Sequence, residues 1–318
     1  MSTDPKTRDH ARAVVFAYHD VGVRALETLL ARGIEVPLVV THADDPGEGA
    51  WFASVAEHAR RYGIETITPT QNELASLAPR LEKLAPDFIF SFYYRYMIPT
   101  ALIETARRGA LNLHGSLLPR YRGRAPVNWA VLAGESETGA SLHYMSAKPD
   151  AGDLIGRESV PILPNDTAGD VMRKVAVAGE RLLWRLAPEL VAGTAPRTPL
   201  DLAAGNYCGR RRPEDGRIDW RRSAWEIHNL VRAVAPPYPG AFTEISGGRL
   251  LILGSHFRDE PAHQPRPALY VENGRIYADC ADSRRFEVLK CTLNDEPVTA
   301  ASFPALGGGE LLLPGDSA

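Results

Sequence analysis

The chain has 318 residues, a formal net charge of −3, 44% apolar residues and 24% charged ones. This is the balance of a soluble globular protein, with room for a domain of about 200 residues and a smaller one of about 100. Such a charge offers no field for a polyanion, which argues against a nucleic-acid partner, and no apolar run reaches the ~20 residues that insert into a bilayer.

The first residues, MSTDPKTRDHAR, lack the apolar core of a signal peptide and read as a disordered tail over 1–12 of a cytoplasmic protein. Val14 to Ala17 suits a buried strand. A turn from Tyr18 to Gly22 leads into a helix over Val23 to Ala31, stopped by Gly33. Val36 to Thr41 is the next strand, His42 to Gly49 a polar loop, and Ala50 to Tyr62 a helix. A strand at Glu65 to Thr68, a helix over Gln71 to Leu84, a strand at Asp87 to Ser91 and a helix over Pro99 to Arg107 follow. Ala110 to His114 is the fifth strand. Strands alternating with helices predict a Rossmann-like α/β fold with a mostly parallel sheet, whose ligands bind beyond the carboxyl ends of the strands. The first strand-to-helix turn has no G-x-G-x-x-G and the chain no G-x-x-x-x-G-K-[ST], so neither a dinucleotide fold nor a P-loop is indicated.

Gly115 to Gly123 reads as a loop, Ala125-Pro126 opens a helix that Gly134 ends, and Gly139 to Met145 is a strand. Lys148 to Gly152 is a second loop and Leu154 to Pro161 a strand. Asp166 or Thr167 caps a helix to about Ala192, which Pro188 should kink or break. Gly193 to Pro199 reads as a linker. A helix over Ala224 to Val234 and short alternating runs at 242–245, 250–253, 268–271, 275–278 and 286–290 predict a small C-terminal β-barrel-like (OB-like) domain. The resulting division is a catalytic domain over 13–200, a β-rich domain over 201–306 and a tail over 307–318. Cys208, Cys280 and Cys291 are odd in number and widely spaced, which fits reduced thiols better than a disulfide frame or a zinc site.

The stretch from Leu111 to Asp153 carries the chemistry. Asn112 and His114 lie two apart on a strand and so share one side; the loop at 148–152 brings a carboxylate, Asp150. For a nucleophilic amine attacking a one-carbon acyl donor, the Asn112 amide suits the oxyanion. His114 can exchange protons near neutral pH, and Asp150 can orient the imidazole or take the amine's proton. This chemistry requires no metal. Singly, the residues have plainer readings: Asp150 as a turn former, Arg120, Arg122 and Arg124 as a solvated basic loop, and His19, His42, His58 and His143 as surface or satisfied core residues. Tyr93, Tyr94 and Tyr96 suit packing as readily as a ligand platform.

The ordered pattern Asn112-Leu113-His114-Gly115-Ser116-Leu117-Leu118-Pro119, Tyr121-Arg122-Gly123, Glu137-Thr138-Gly139 and Asp150-Ala151-Gly152-Asp153 resembles the formyltransferases that use N10-formyltetrahydrofolate. The resemblance implies an Asn112, His114, Asp150 triad. It also implies a folate site at Tyr96, Met97 and Ile98 and across Ser146, Ala147, Lys148 and Pro149, with Arg124 at its edge. Runs at 90–95 and 121–129, with Tyr18-His19-Asp20, Cys208-Gly209-Arg210-Arg211 and Asn229 to Val234, are most similar to the branch acting on UDP-4-amino-4-deoxy-L-arabinose. That branch is known from the formyltransferase half of a bifunctional polymyxin-resistance enzyme that modifies lipid A. The acidic loop at 44–48 and Arg124 set the chain apart from methionyl-tRNA formyltransferases. A nucleotide sugar is therefore the expected partner, with Tyr94, Ser116, Arg210 and Arg211 as substrate-binding candidates and Trp220 as a further contact for the diphosphate or uracil. The bifunctional enzyme continues into a decarboxylase domain, so a separate decarboxylase or a different sugar is expected here.

Overall fold

A computed structural model describes residues 10–43, 52–306 and 310–313. Most of the expected N-terminal tail and the acidic loop at 44–48 lie outside the described residues. The chain divides into two compact units: one holds the residues through Gly123, Thr138–Val160 and Arg173–Cys208, the other Arg124–Glu137, Pro161–Met172 and the chain from Gly209 on.

The first unit is organised around a seven-stranded sheet. Its strands are β1 (Arg12–Ala17), β2 (Glu35–Val40), β3 (Glu65–Ile67), β4 (Phe88–Phe92), β5 (Gly109–His114), β7 (Glu137–Tyr144) and β8 (Leu154–Pro161), in the order β3-β2-β1-β4-β5-β7-β8. β1 to β5 run parallel and β7 pairs antiparallel to β5. β1 and β4 are buried along nearly their whole length, as strands covered on both faces must be, which is why their sequences are continuous apolar runs rather than alternating ones.

Helix α1 spans His19–Ala31, so the expected turn at Tyr18 to Gly22 is the first turn of the helix. The polar residues there read as turn formers, yet Asp20 lies at the helix N-terminus, where its charge is favoured, and it accepts the Ala53 N–H at 2.8 Å. Gly33 closes the helix at φ 75°, as expected. Helix α2 covers Val55–Arg61. The expected helix over 71–84 is a 3₁₀ turn at Leu74–Leu77 followed by α3 (Ala78–Leu84), with Pro79 in its first turn. The one over 99–107 shortens to α4 (Thr100–Ile103). The loop after β5 contains the two-residue strand β6 (Arg122–Gly123), paired parallel with β9 (Tyr207–Cys208). Helix α6 (Ala168–Ala192) is capped by reciprocal bonds between Thr167 and Asp170 and runs four residues past Pro188, which neither breaks nor ends it. In the expected linker, Thr198 exchanges both backbone hydrogen bonds with Leu154. No helix among the described residues is long and apolar enough to cross a membrane.

The second unit contains α5 (Pro126–Leu132) and α7 (Ala224–Ala233), the latter opened by a reciprocal Ser223–Glu226 capping box. Its sheet is antiparallel, in the order β10 (Ala241–Ile245), β11 (Gly248–Pro261), β14 (Arg284–Leu293), β13 (Arg275–Asp279), β12 (Ala268–Glu272) and β16 (Glu310–Leu312), with β15 (Glu296–Val298) on β14. The expected barrel-like domain is a curled half-barrel sheet. β11 is far longer than the run at 250–253, because register shifts between Ile252 and Gly254 and between Phe257 and Glu260 break the alternation that marks a strand. β16 falls in the stretch read as a tail and pairs with β12. Trp220, Ile227, Val231, Ile252 and Phe286 are among the core. Trp220, expected near substrate, is buried there with its indole N–H on Thr243 Oγ1 at 3.1 Å. The three cysteines are free and buried.

Candidate active site

β5 places Asn112 and His114 on one face, with Asn112 opposite His143 and His114 opposite Ser141 on β7. Asp150 lies in the loop after β7 with a left-handed backbone, φ 50°, a conformation that costs an L-residue about 1–2 kcal/mol. The strain is held by the Gly123 N–H, which donates to Asp150 Oδ2 at 2.9 Å. The three expected catalytic residues therefore converge. Asn112 Nδ2 donates to Asp150 Oδ1 at 3.3 Å, and His114 Nδ1 lies 3.6 Å from the same oxygen.

His143, read as a surface or satisfied core residue, joins them. Its Nδ1 lies 2.8 Å from the Tyr144 carbonyl and its Nε2 lies 3.1 Å from Asn112 Nδ2 and 3.5 Å from Asp150 Oδ1. A carbonyl only accepts, so in the neutral ring Nδ1 carries the hydrogen and Nε2 accepts the Asn112 amide. The same logic assigns His114: Nε2 lies 2.8 Å from the Tyr121 carbonyl, so Nε2 carries the hydrogen and Nδ1 is the nitrogen free to take a proton. The sequence marked the strand over 139–145 but not its neighbour; the antiparallel pairing with β5 and the register that sets His143 opposite Asn112 are tertiary.

Burial is the largest influence on His114 and lowers its pKa. Asp150 and the Tyr121 carbonyl oppose this, His143 adds to it, and the net result lies below the ordinary imidazole value. Burial raises Asp150 most, but His114, the Gly123 N–H and, in its protonated form, His143 outweigh it and bring the carboxyl down to about 2. The site thus holds a carboxylate beside a neutral imidazole at neutral pH, the combination that takes a proton from an attacking nucleophile.

The segments expected to hold a co-substrate flank this centre within the same unit. Ile98 belongs to an apolar cluster against which Tyr94 and Tyr96 from the loop after β4 and Met145 from the loop after β7 pack. Met97, Ser146, Ala147 and Lys148 are exposed beside it, Pro149 is half-buried, and Ser146 Oγ donates to the Lys148 carbonyl at 2.8 Å. Tyr94 stacks on His42 with ring centroids 4.3 Å apart, and His42 is the satisfied core residue expected, accepting the Arg95 N–H at 3.0 Å. Ser116, expected at the substrate, is fully buried; its hydroxyl donates to the Arg120 carbonyl at 2.6 Å and braces the loop. Arg122, read as part of a solvated basic loop, is buried as well. Arg124, Arg210 and Arg211 belong to the second unit. There Arg124 and Arg210 are exposed, and Arg211 lies 5.0 Å over the ring of Trp129, whose indole N–H holds the Gly209 carbonyl at 3.0 Å.

Residues 12–186 match the formyl transferase family and residues 211–304 its C-terminal domain. The chain belongs to the formyl transferase family and is a formyltransferase enzyme. Its fold is shared by the N-formyltransferase of Helicobacter canadensis in complex with folinic acid and dTDP-3-aminofucose. That structure is 20% identical with a TM-score of 0.70, over 87% of this chain and 98% of that one. WlaRD, a sugar 3N-formyl transferase solved with dTDP and 5-N-formyl-THF, is 19% identical with a TM-score of 0.68, over 88% and 97% of the two chains. A 4-N formyltransferase of Francisella tularensis is 19% identical with a TM-score of 0.60, over 75% and 94%.

Proposed function

We propose that the enzyme transfers the formyl group of N10-formyltetrahydrofolate to the amino group of a nucleotide-linked amino sugar. The observation that carries this is the convergence of Asn112, His114 and Asp150 on one point of the sheet. The solved relatives bound to folates and to dTDP or a dTDP-amino sugar support the substrate class. The residues suit a folate: Tyr96, Ile98 and Met145 form an apolar wall, and the exposed chain at 97 and 146–148 offers polar groups at its rim.

On this reading the neutral amine attacks the formyl carbon. The new C–N bond forms first and leaves an oxyanion on the formyl carbon; the amine's proton passes through His114 Nδ1, backed by Asp150, to N10, whose bond to that carbon then breaks as the carbonyl re-forms. Asn112 turns an amide hydrogen to the oxyanion. Tyr94 lines the site. The likeness of the runs at 90–95 and 121–129 names UDP-4-amino-4-deoxy-L-arabinose as the acceptor, amino group at C4, for lipid A modification and polymyxin resistance in the cytoplasm. The upstream decarboxylation falls to a separate enzyme.

The test is turnover with N10-formyltetrahydrofolate and that sugar, followed by the absorbance of the folate product. Formylated sugar is expected. A comparable rate with a dTDP-3-amino sugar and none with the UDP sugar would move the acceptor, and formylation of methionyl-tRNA alone would overturn the sugar reading.

A further inference from the structure

Two catalytic side chains are held by the backbone of one tripeptide. The Tyr121 carbonyl faces His114 Nε2 at 2.8 Å and the Gly123 N–H donates to Asp150 Oδ2 at 2.9 Å. The tripeptide does not hold its own shape: Tyr121 has φ 56° and Gly123 φ 96°, outside the regular regions. It is pinned from a distant segment. Asn206 Oδ1 accepts the Tyr121 N–H at 2.5 Å, and the Asn206 carbonyl accepts the Arg122 N–H at 3.1 Å. From there Tyr207 and Cys208 continue as β9 against β6, and a Cβ on Gly123 would lie 2.3 Å from the Cys208 carbonyl. A two-residue ladder is too short to be stable alone, so the side-chain bond of Asn206 sets where the tripeptide sits. Position 206 lies outside both stretches matched by the family, 12–186 and 211–304.

We infer that Asn206 is a positioning residue of the active site, acting through the Tyr121–Gly123 backbone to set the tautomer of His114 and the place of Asp150. Its kinetic test rests on the formyl-transfer reading above; its spectroscopic test does not.

The groups facing His114 are Asp150 from the loop after β7, His143 from β7, and the Tyr121 carbonyl. Of these, Asn206 acts on the carbonyl through the Tyr121 and Arg122 N–H groups on either side of it, while the Ser116 hydroxyl lies 3.5 Å from the carbonyl itself, and Asn206 acts on Asp150 through Gly123. Weakening the carbonyl contact removes a stabiliser of protonated His114, so its titration moves to lower pH.

The experiment uses protein labelled with ¹⁵N in the histidine rings, with His114 assigned against His114→Gln. The wild type should show a neutral ring protonated at Nε2. Asn206→Leu, which keeps the shape and loses the acceptor, should mix the tautomers, lower the His114 titration, and cut kcat roughly 10- to 100-fold with both KM values little changed. Asn206→Asp keeps an acceptor for the Tyr121 N–H and should restore the tautomer and most of kcat. If Asn206→Leu does not fold, Asn206→Ala carries the same expectation. Wild-type His114 signals in the Leu or Ala variant overturn the inference, as does equal loss in the Leu and Asp variants. Silence of the wild type with every acceptor would overturn the proposed reaction, while the ring signals would still decide the role of Asn206.

Discussion

At the scale of single residues, the site is set by how few free donors it contains. Both hydrogens of the Asn112 amide are engaged, one on His143 Nε2 at 3.1 Å and one on Asp150 Oδ1 at 3.3 Å. To stabilise an oxyanion the amide must release one, and the longer bond to Asp150 is the one to yield, leaving His143 as the anchor. His143→Phe keeps the ring and removes the acceptor. It should lower kcat roughly 10- to 100-fold with little change in either KM, read by steady-state kinetics. Asn112→Ala and His114→Ala should abolish turnover with the fold intact by circular dichroism. Because the pKa of His114 lies below its ordinary value and that of Asp150 at about 2, both are at neutral pH in the forms that the proposed reaction needs. The acid limb of kcat should therefore fall below pH ~6.5. Asp150→Asn, besides slowing the reaction, should move that limb further to acid by removing the charge that supports protonated His114.

At the scale of elements, the loop that carries Asp150 depends on a glycine. A Cβ on Gly152 would lie 2.0 Å from the Tyr144 carbonyl, so the loop folds flat against the end of β7, closed by the Tyr144 N–H on the Asp153 carbonyl at 2.8 Å. Gly152→Ala should cost about 1–3 kcal/mol of stability and depress kcat as well, because Asp150 moves with the loop; a thermal melt and an assay check the two effects. Ser223→Ala, which removes the cap of α7, should cost about 1 kcal/mol with kcat unchanged. Element identities were well marked in the chain: glycines at 33 and 134 end their helices with positive φ, and the expected strand at Leu154–Pro161 is β8 as predicted. The misjudged elements share a cause. Tyr18 to Asp20 and the stretch around Gly254 have turn-like composition, yet contacts with Ala53 and with β14 carry them into a helix and a strand. Propensity is a weak prior against such contacts.

At the scale of the whole molecule, stability and pH are linked through His228. This ring is fully buried in the second unit, with Nε2 2.9 Å from the Pro164 carbonyl and Nδ1 2.8 Å from Ser255 Oγ. Neutral His228 satisfies both contacts, donating to the carbonyl and accepting the hydroxyl. Burial lowers its pKa from 6.5 to about 4. The unfolded chain therefore binds a proton between pH 6.5 and 4 that the folded chain refuses. Its contribution is intact above pH 6.5 and is lost as pH falls toward 4, about 3 kcal/mol in all and about 2 kcal/mol by pH 5. Urea unfolding at pH 7 and pH 5 should show this drop, and His228→Gln should reduce it.

The local pattern of the chain determined the alternating strands and helices, the common face of Asn112 and His114, the two loops that bring Arg122 and Asp150, and the order of residues that marks the formyl transferase family. Those features depend on spacing of two or four residues and on turn chemistry, which neighbours along the chain decide. Tertiary structure alone decided that His143 stands opposite Asn112, that Asn206 grips Tyr121, that Ser116, Arg122 and Trp220 are buried, and that Glu310–Leu312 close on β12. Each of these is a pairing across tens of residues. Register and packing select them, because a one-residue slip between strands exchanges every side chain in contact for its neighbour.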